Sequence, residues 1–360
     1  MGAPYTLAWY ACDLRTGQVA EELRALRPTQ AISRRLGAIT SCSLELALGG
    51  APLEWESATD PARTLFVAVD ELTDTPIWSG IPLSRKGGAG EALSLTAATA
   101  EAYLDRRYTS YSATGTDIST IMEGVAAPLL VSGPPFTIDT TLCGTTADYT
   151  VLDTDDKTVL SCLQELDSLE GAPEWTVDTV WADAAHTAVD LVLRIRPQIG
   201  TTETVGEAVF DLPGCISDYE FEESYERGKG ANSVSARGEV EGGSRSTSST
   251  LTDGDLLADG WCLWEHHYSP ASGIVSATQL DAHAAASLGL MRGGAQAWTV
   301  QAVASQAPRL GITWGLGDYL TVAIARSPRH PSGRTVTARA YAWELDPAAD
   351  RISPILLEDS

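Results

Sequence analysis

Histidine, basic residues and long apolar runs are all scarce in this sequence. Its 360 residues include 5 histidines, which leave little material for acid–base or metal chemistry. No stretch reaches the roughly 18 to 20 consecutive apolar residues of a membrane span. Residues 1–10 also lack the basic start and long apolar core of a signal peptide. We therefore expect no membrane span and a chain that is made in the cytosol.

Positive charge is outnumbered by negative charge. The chain has 24 Lys and Arg against 48 Asp and Glu, a formal net charge of -24. A field of this sign repels polyanions, so it opposes sequence-independent binding of nucleic acid. The simplest interpretation of the excess is a solvated surface that keeps the protein soluble.

Cysteines are few and scattered, at positions 12, 42, 143, 162, 215 and 262. None of them forms a C-x-x-C pair, so neither a zinc site nor a disulfide framework is indicated. We expect free and mostly buried thiols, because an unpaired cysteine behaves as a small core residue.

What the sequence does contain is turn-rich, strand-forming material in a chain long enough for roughly two to four domains. Residues 1–110 alternate apolar and other residues with a period of two, as at Cys42, Leu44, Leu46 and Leu48. Short strands at this spacing predict a small β-barrel. The fold class predicted for the whole chain is β-rich, α+β and multidomain, with two small barrels flanking α+β inserts.

The pattern changes in residues 111–213, where two helices are predicted before an alternating strand pair. Asp117 can cap the first helix, and Thr154 or Asp155 can cap the second, with Gly171 as its left-handed terminus. A helix beside antiparallel strands predicts an α+β insert.

Residues 214–295 are predicted to hold strand sequence, a loop and a helix. The stretch 241–252 is rich in Gly, Ser and Thr and predicts an exposed, mobile loop. Ser276 and Gln279 form a capping-box pair for the helix that follows. Residues 296–360 return to strands and predict the second barrel.

Few residues could carry chemistry. Glutamate and two histidines meet within Trp264–His267, but neighbours in a strand point to opposite faces, which hinders joint metal ligation. The acidic stretches 153–156 and 253–255 lack the full calcium-loop pattern, so a helix cap explains the first and a turn the second. Trp9, Trp78, Trp175 and Trp298 lie in strand patterns where core burial is the ordinary outcome. We assign no catalytic, cofactor-binding or metal-binding residue, and expect no cofactor and no enzyme activity.

Several short stretches, taken in order, resemble one known family. They are the strand end Cys12–Gly17, the stretches Ser33–Gly37 and Ala58–Thr64, the Trp-x-Gly bend in Ile77–Ile81, the segment Tyr103–Tyr108 and the Gly-Asp strand Gly315–Val322. Together they resemble the minor tail proteins, or tail-tip (baseplate) hub proteins, of actinobacterial siphophages. Both ends of the chain are covered, while residues 110–300 match in element order rather than in motifs.

The resemblance implies a homotrimer in which two barrels per subunit form a pseudo-sixfold ring, so that a threefold tip docks onto a sixfold tail tube. The implied partners are the tail tube or distal tail protein, the tape measure protein, and a central fibre or other tip proteins. Phage DNA would pass through during ejection without specific binding. The implied location is the virion tail tip, assembled in the host cytoplasm, and we expect any lysin or fibre to be a separate polypeptide.

Two other classes of function stay open at the level of sequence. A tail-associated cell-wall hydrolase would use Glu265, His266 and the surplus acids, because paired carboxylates are defined by their separation in space and not in sequence. A carbohydrate-binding or receptor-binding tail module would present exposed Trp and Tyr side chains to sugars.

Overall fold

The computed structural model describes residues 3–169, 171–201, 206, 208–241, 244–269 and 277–357, apart from the side chains of 239–241, 244 and 277–279. Strands dominate, and helices are short and few, so the predicted β-rich class is confirmed. The elements in chain order are β1 (Leu7–Asp13), β2 (Val19–Glu22), β3 (Leu26–Pro28), β4 (Ile32–Arg35), β5 (Ser41–Ala47), α1 (Trp55–Ala58), β6 (Thr64–Asp70), β7 (Thr75–Lys86), β8 (Ala92–Thr99), β9 (Tyr111–Asp117), α2 (Ile118–Ala126), β10 (Phe136–Thr140), β11 (Thr146–Val151), α3 (Val159–Asp167), β12 (Glu174–Trp181), β13 (Val189–Arg196), β14 (Ala208–Leu212), β15 (Ile216–Ser224), β16 (Ser233–Glu241), β17 (Ser244–Thr247), β18 (Leu251–Thr252), α4 (Gly254–Ala258), β19 (Glu265–Tyr268), α5 (Ala277–Met291), β20 (Ala295–Val303), β21 (Tyr319–Ile324), β22 (Arg334–Asp346) and β23 (Arg351–Leu357).

The described chain divides into two compact units. The first unit runs to Asp218 and resumes over Val300–Leu356, and the second unit is Tyr219–Thr299. The four segments predicted from the sequence divide the chain differently from these two units, and their boundaries stay a prediction.

The first sheet of the first unit has seven strands in the order β2-β1-β6-β7-β8-β5-β3. Its two edge strands, β2 and β3, are consecutive in sequence, with only residues 23–25 between them. Four Cα steps span at most about 15 Å, whereas seven flat strands would place the edges about 28 Å apart. The sheet must therefore curl until its edges approach each other, as a half-barrel does.

The second sheet also has edge strands that are consecutive in sequence. Its order is β14-β21-β22-β23-β20-β15, and its edge strands β14 and β15 are joined by residues 213–215 alone. The same limit of about 15 Å therefore curls this sheet as well. Strand β4 is its seventh member and pairs with β22, through partners such as Trp343 and Arg34. A strand from the first hundred residues thus completes a sheet built near the other end of the chain.

The α+β insert contributes to the same core as the first sheet. Its sheet has the order β10-β13-β12, and α2 and α3 bury apolar residues in a core cluster that also contains residues of the first sheet. Buried members from both sources include Val67, Ile121, Leu163 and Leu191. Trp9, Trp78, Trp175 and Trp298 are each at most 2% exposed, so the predicted core burial of these tryptophans is confirmed.

Helix α2 begins where the sequence predicts. The Asp117 carboxylate accepts hydrogen bonds from the backbone N–H groups of Ser119 (2.9 Å) and Gly144 (2.7 Å). Burial raises the pKa of Asp117, but the backbone donors Gly144, Ser119 and Cys143 together outweigh it, so the net pKa is lowered.

We expect Asp117→Ala to lower the free energy of unfolding by about 1–2 kcal/mol, because a helix cap and its loop contacts are lost. Since the folded-state pKa is depressed, this contribution is present above the ordinary carboxyl pKa and is lost as pH falls through the folded-state value. Urea unfolding at several pH values measures it. Glu123→Ala, exposed on the same helix, is the control and should change stability by less than about 0.5 kcal/mol. Equal losses in both variants would contradict the capping role.

Three sequence predictions about local structure are wrong. Helix α3 is capped by Thr158, whose hydroxyl accepts from the Ser161 N–H at 3.2 Å, and not by Thr154 or Asp155. The reason is that Asp155 closes a separate turn by accepting from the Leu152 N–H, and the left-handed Asp156 ends that turn. Gly171 is left-handed as predicted, but it lies beyond the helix end at Asp167.

The other two wrong predictions lie in the second unit. Asp253 does not sit in an ordinary turn but caps α4, accepting from the N–H groups of Asp255 and Leu256. The predicted mobile loop 241–252 contains β17 and β18, which pair with β16. Pairing with a neighbouring strand supplies the order that this polar composition does not indicate. Helix α5 is present with Leu280 and Ala284 fully buried, while the capping pair assigned to Ser276 and Gln279 falls outside the described side chains.

Candidate functional site

A cleft of the first unit has a volume of about 510 Å³ and lies where the first sheet, the insert and the second sheet meet. Its walls combine charged side chains with strand backbone. Residues that line it include Arg34, Pro76, Ile77, Thr176, Asp178, Arg194, Arg196, Asp318 and Trp343. Three arginines in one cleft are notable in a chain that is so acidic.

Arg34 connects β4 to the insert. Its guanidinium donates to the Thr176 hydroxyl (2.9 Å) and the Val177 carbonyl (2.6 Å), and it contacts the Asp178 carboxylate at 3.2 Å. Glu101, whose side chain is 3% exposed, lies 3.6 Å from the same guanidinium and accepts from the Val177 N–H. A buried carboxylate is tolerated here because it is both paired and hydrogen-bonded.

Arg194 and Arg196 extend the network along β13. Arg194 donates to Asp178 (2.6 Å) and Asp139 (2.9 Å), and Arg196 also binds Asp139. The hydrogen bond from Arg196 is the main reason that the pKa of Asp139 is lowered. Three guanidinium groups thus face three carboxylates, counting Glu101. These ion pairs connect β4, β10, β12 and β13, and each of the three arginines has an acidic partner.

A second set of contacts fixes the stretch Gly315–Val322, which contains the Gly-Asp pair. The Asp318 carboxylate accepts from the N–H groups of Gly315 and Thr201, both at 2.7 Å. Gly317 is left-handed, and a Cβ there would lie 2.1 Å from the Ile199 carbonyl oxygen. This close backbone approach explains both the glycine and the aspartate of the stretch. Its role is to dock the strand β21 onto the chain leaving the insert.

A third cluster ties the start of the chain to residue 309. Arg309 donates to Asp70 at 2.7 Å through Nε, and a second guanidinium nitrogen binds the other carboxylate oxygen. The guanidinium lies 3.7 Å from the centre of the Tyr5 ring, whose hydroxyl accepts from the Leu310 N–H. Burial is the main reason that the pKa of Tyr5 is raised to about 12. Asp70 itself is fully buried.

The acid and histidines of Trp264–His267 lie on strand β19, as predicted. Exposure alternates along it, with Glu265 and His267 exposed and His266 half-buried, so Glu265 and His266 are not brought together on one face. Burial, with His267 and Arg227 nearby, lowers the pKa of His266. Across the residues that the structure describes, no three His, Cys, Asp or Glu side chains converge as metal ligands.

The residues that organise these clusters escaped sequence reasoning. Asp70 and Arg309 are 239 positions apart, and Arg34 and Asp178 are 144 apart. A lone arginine or aspartate in a strand pattern gives no local signal of such a partner. Of the charged residues in these clusters, only Arg34 and Asp318 fell inside stretches singled out for resemblance. None of the described helices is long and apolar enough to cross a membrane.

No protein-family model matches the chain, and no curated protein matches it. Solved structures do. The 43 kDa tail protein of prophage MuSo2 from Shewanella oneidensis is 11% identical with a TM-score of 0.62, over 98% of this chain and 97% of that one. A tail protein from Neisseria meningitidis MC58 is 12% identical with a TM-score of 0.59, over 99% and 97%.

A prophage tail protein, gp18, from Listeria monocytogenes EGD-e is 11% identical with a TM-score of 0.57, over 98% of this chain and 94% of that one. Because nearly the full length of each chain is aligned, the similarity extends over both sheets and the insert. The chain therefore has the β-rich fold of these tail proteins.

Proposed function

We propose that this chain is a structural, non-enzymatic subunit of a bacteriophage tail tip, and that three copies form a hub ring around the DNA channel. The observation that carries the proposal is the repeated closure in the first unit. Two seven-stranded sheets each have consecutive edge strands joined by three residues. Two curled sheets per subunit would give a trimer six similar barrel-like modules, which is the number needed to match a sixfold tube.

The fold likeness to three tail proteins, two of which come from prophages, supports the class of function. Within that class we propose the minor tail protein of an actinobacterial siphophage, from the resemblance of its motifs. Its partners would be the tail tube or distal tail protein, the tape measure protein and a central fibre or other tip proteins. The ion pairs of the cleft favour a rigid building block over a catalyst, because each of the three arginines is already paired with a carboxylate on a neighbouring element.

The net charge of -24 has a role in this proposal. Aspartate and glutamate would line part of the lumen and repel passing DNA, so that the DNA slides without binding. A reconstruction of the ring tests this, and a lumen lined by basic side chains would contradict it.

The oligomeric state is the first test. We expect light scattering to give three times the 38.1 kDa mass of the chain, and negative-stain images to show a ring with a central hole. A compact monomer that also degrades host cell wall would overturn the hub and favour the hydrolase. A monomer that stays monomeric when tail tube protein is added would overturn the trimer.

A further inference from the structure

Four consecutive apolar residues of the second unit face solvent. Trp261, Leu263 and Trp264 are 45%, 53% and 50% exposed, and Cys262 between them is also exposed. Runs of this kind are avoided on the surface of a soluble protein unless they bind something. We name residues Trp261–Trp264 the apolar run.

The apolar run is held rigidly by one buried side chain. Asn232 is fully buried, donates from Nδ2 to the Cys262 carbonyl (2.8 Å) and accepts the Trp264 N–H at Oδ1 (2.7 Å). Its backbone N–H also donates to the Trp264 carbonyl, and its carbonyl accepts from the Asp253 N–H. A segment fixed in this way loses little conformational entropy on binding.

The ring of one tyrosine contacts both tryptophans. The ring of Tyr225 lies 5.3 Å from that of Trp261 and 5.8 Å from that of Trp264. Its hydroxyl donates to the Arg292 carbonyl at 3.0 Å, and Gly230 leaves room for the ring, since a Cβ there would lie 2.6 Å from it. The result is a preformed aromatic platform, the kind of surface that supplies binding hot spots.

The rim of this platform is acidic. Asp259 and Glu265, on either side of the apolar run, are both exposed, and so is Asp255 in α4. Among the described cations nearby, Arg292 pairs with Asp253, and Lys229 pairs with Glu222 and Glu226. Arg227 lies near His266, which supplies no negative charge. The three exposed carboxylates outnumber Arg227, so the charge at the rim is negative on balance.

We propose that the apolar run and its acidic rim form a docking surface for another protein, one that presents apolar side chains surrounded by lysine and arginine. Charge complementarity selects this occupant, because like charges across an interface cost free energy while opposite ones speed association. A second copy of this acidic chain would bring the same sign of charge to the contact.

Cys262 makes the test direct. It is the one exposed cysteine in the part of the chain that the structure describes, since Cys143 is half-buried and the others are buried. Maleimide labelling followed by mass spectrometry therefore reports access to the apolar run. The probes are two short peptides, each with a central Leu-Trp-Leu segment, flanked by lysines in one and by glutamates in the other.

We expect the lysine peptide to slow labelling of Cys262 at least about fivefold at low salt, and added salt to relieve this protection because ions screen the rim. The glutamate peptide should leave labelling unchanged. In calorimetry, the double variant Trp261→Ser, Trp264→Ser should bind the lysine peptide at least about tenfold more weakly. Leu53→Ser removes an isolated apolar side chain that is 94% exposed and should bind normally.

Three outcomes would overturn the proposal. Equal protection by both peptides would remove charge as the basis of selection. Protection by N-acetylglucosamine oligomers but not by the lysine peptide would make the platform a carbohydrate site. Protection that appears as the chain alone is concentrated would make it a contact between copies. Circular dichroism of the double variant confirms that it is folded, since neither tryptophan is buried.

Discussion

Replacing Arg309 by Met is expected to lower the free energy of unfolding of the first unit by about 3–5 kcal/mol, because it leaves a buried carboxylate without its cation. Asp70 is fully buried, and the Arg309 side chain is 14% exposed. The same variant removes the donor to the Ala3 carbonyl and the cation above the Tyr5 ring. Urea unfolding monitored by tryptophan fluorescence measures the loss.

A second substitution separates charge from packing. Adding Asp70→Asn to Arg309→Met should recover part of the lost stability, because the carboxamide needs no counter-charge. Arg24→Met is the matched control, since Arg24 pairs with Glu22 but its side chain is 80% exposed, and exposed pairs contribute less than about 1 kcal/mol. If Arg309→Met and Arg24→Met lower the free energy of unfolding equally, the buried pair of Arg309 and Asp70 does not stabilise the first unit.

Trp175→Ala is expected to cost about 3–5 kcal/mol, the range for removing a large buried aromatic side chain. Trp175 is 1% exposed, lies in β12 and belongs to the core shared by the first sheet and the insert. Its indole N–H donates to the Asp167 carboxylate at the end of α3, at 3.0 Å. Urea unfolding at neutral pH measures the loss.

Trp175→Phe tests the hydrogen bond while keeping most of the volume. Burial raises the pKa of Asp167 and the Trp175 bond lowers it, with burial the larger cause. A raised folded-state pKa means that the charged form is disfavoured in the folded protein, so stability improves as pH falls through that value. The Phe variant should therefore lose about 1–3 kcal/mol at neutral pH and less at mildly acidic pH. Leu53→Ala, on an exposed side chain, should change stability by less than about 0.5 kcal/mol. If Trp175→Phe lowers the free energy of unfolding equally at both pH values, the loss does not come from the hydrogen bond to the Asp167 carboxylate.

How much could be predicted from the sequence varies with the range of the interaction. Cys42, Leu44 and Leu46 alternate, and all three are buried along β5. Asp117 caps α2 by accepting from the N–H of Ser119, only two residues further along the chain. By contrast, the pattern before α3 offered Asp155 as the cap, and Thr158 was missed. The structure uses the Asp155 carboxylate in a separate turn, where it accepts from the Leu152 N–H. Local patterns predict an element well only when two neighbouring residues do not compete for the same role.

The candidate sites were predicted less well than the elements. Burial of the four strand tryptophans follows from their strand context, and the separation of Glu265 from His266 follows from the period of a strand. The apolar run was visible in the sequence as Trp261 to Trp264, but nothing local indicates that it faces solvent. The backbone of the run is held by Asn232, which lies 30 positions away from Cys262 in the sequence.

By itself, the sequence determined that this protein is β-rich, poor in histidine, strongly acidic and equipped with a capped helix at Asp117. These properties follow from composition and from spacings of two to four residues, which act over one turn or one strand. Only the tertiary structure decided that β4 completes the second sheet, that both sheets curl, and that Asp70 meets Arg309. The physical reason is that pairing between distant strands and buried ions depends on which surfaces the whole chain brings together, and no local spacing encodes that choice.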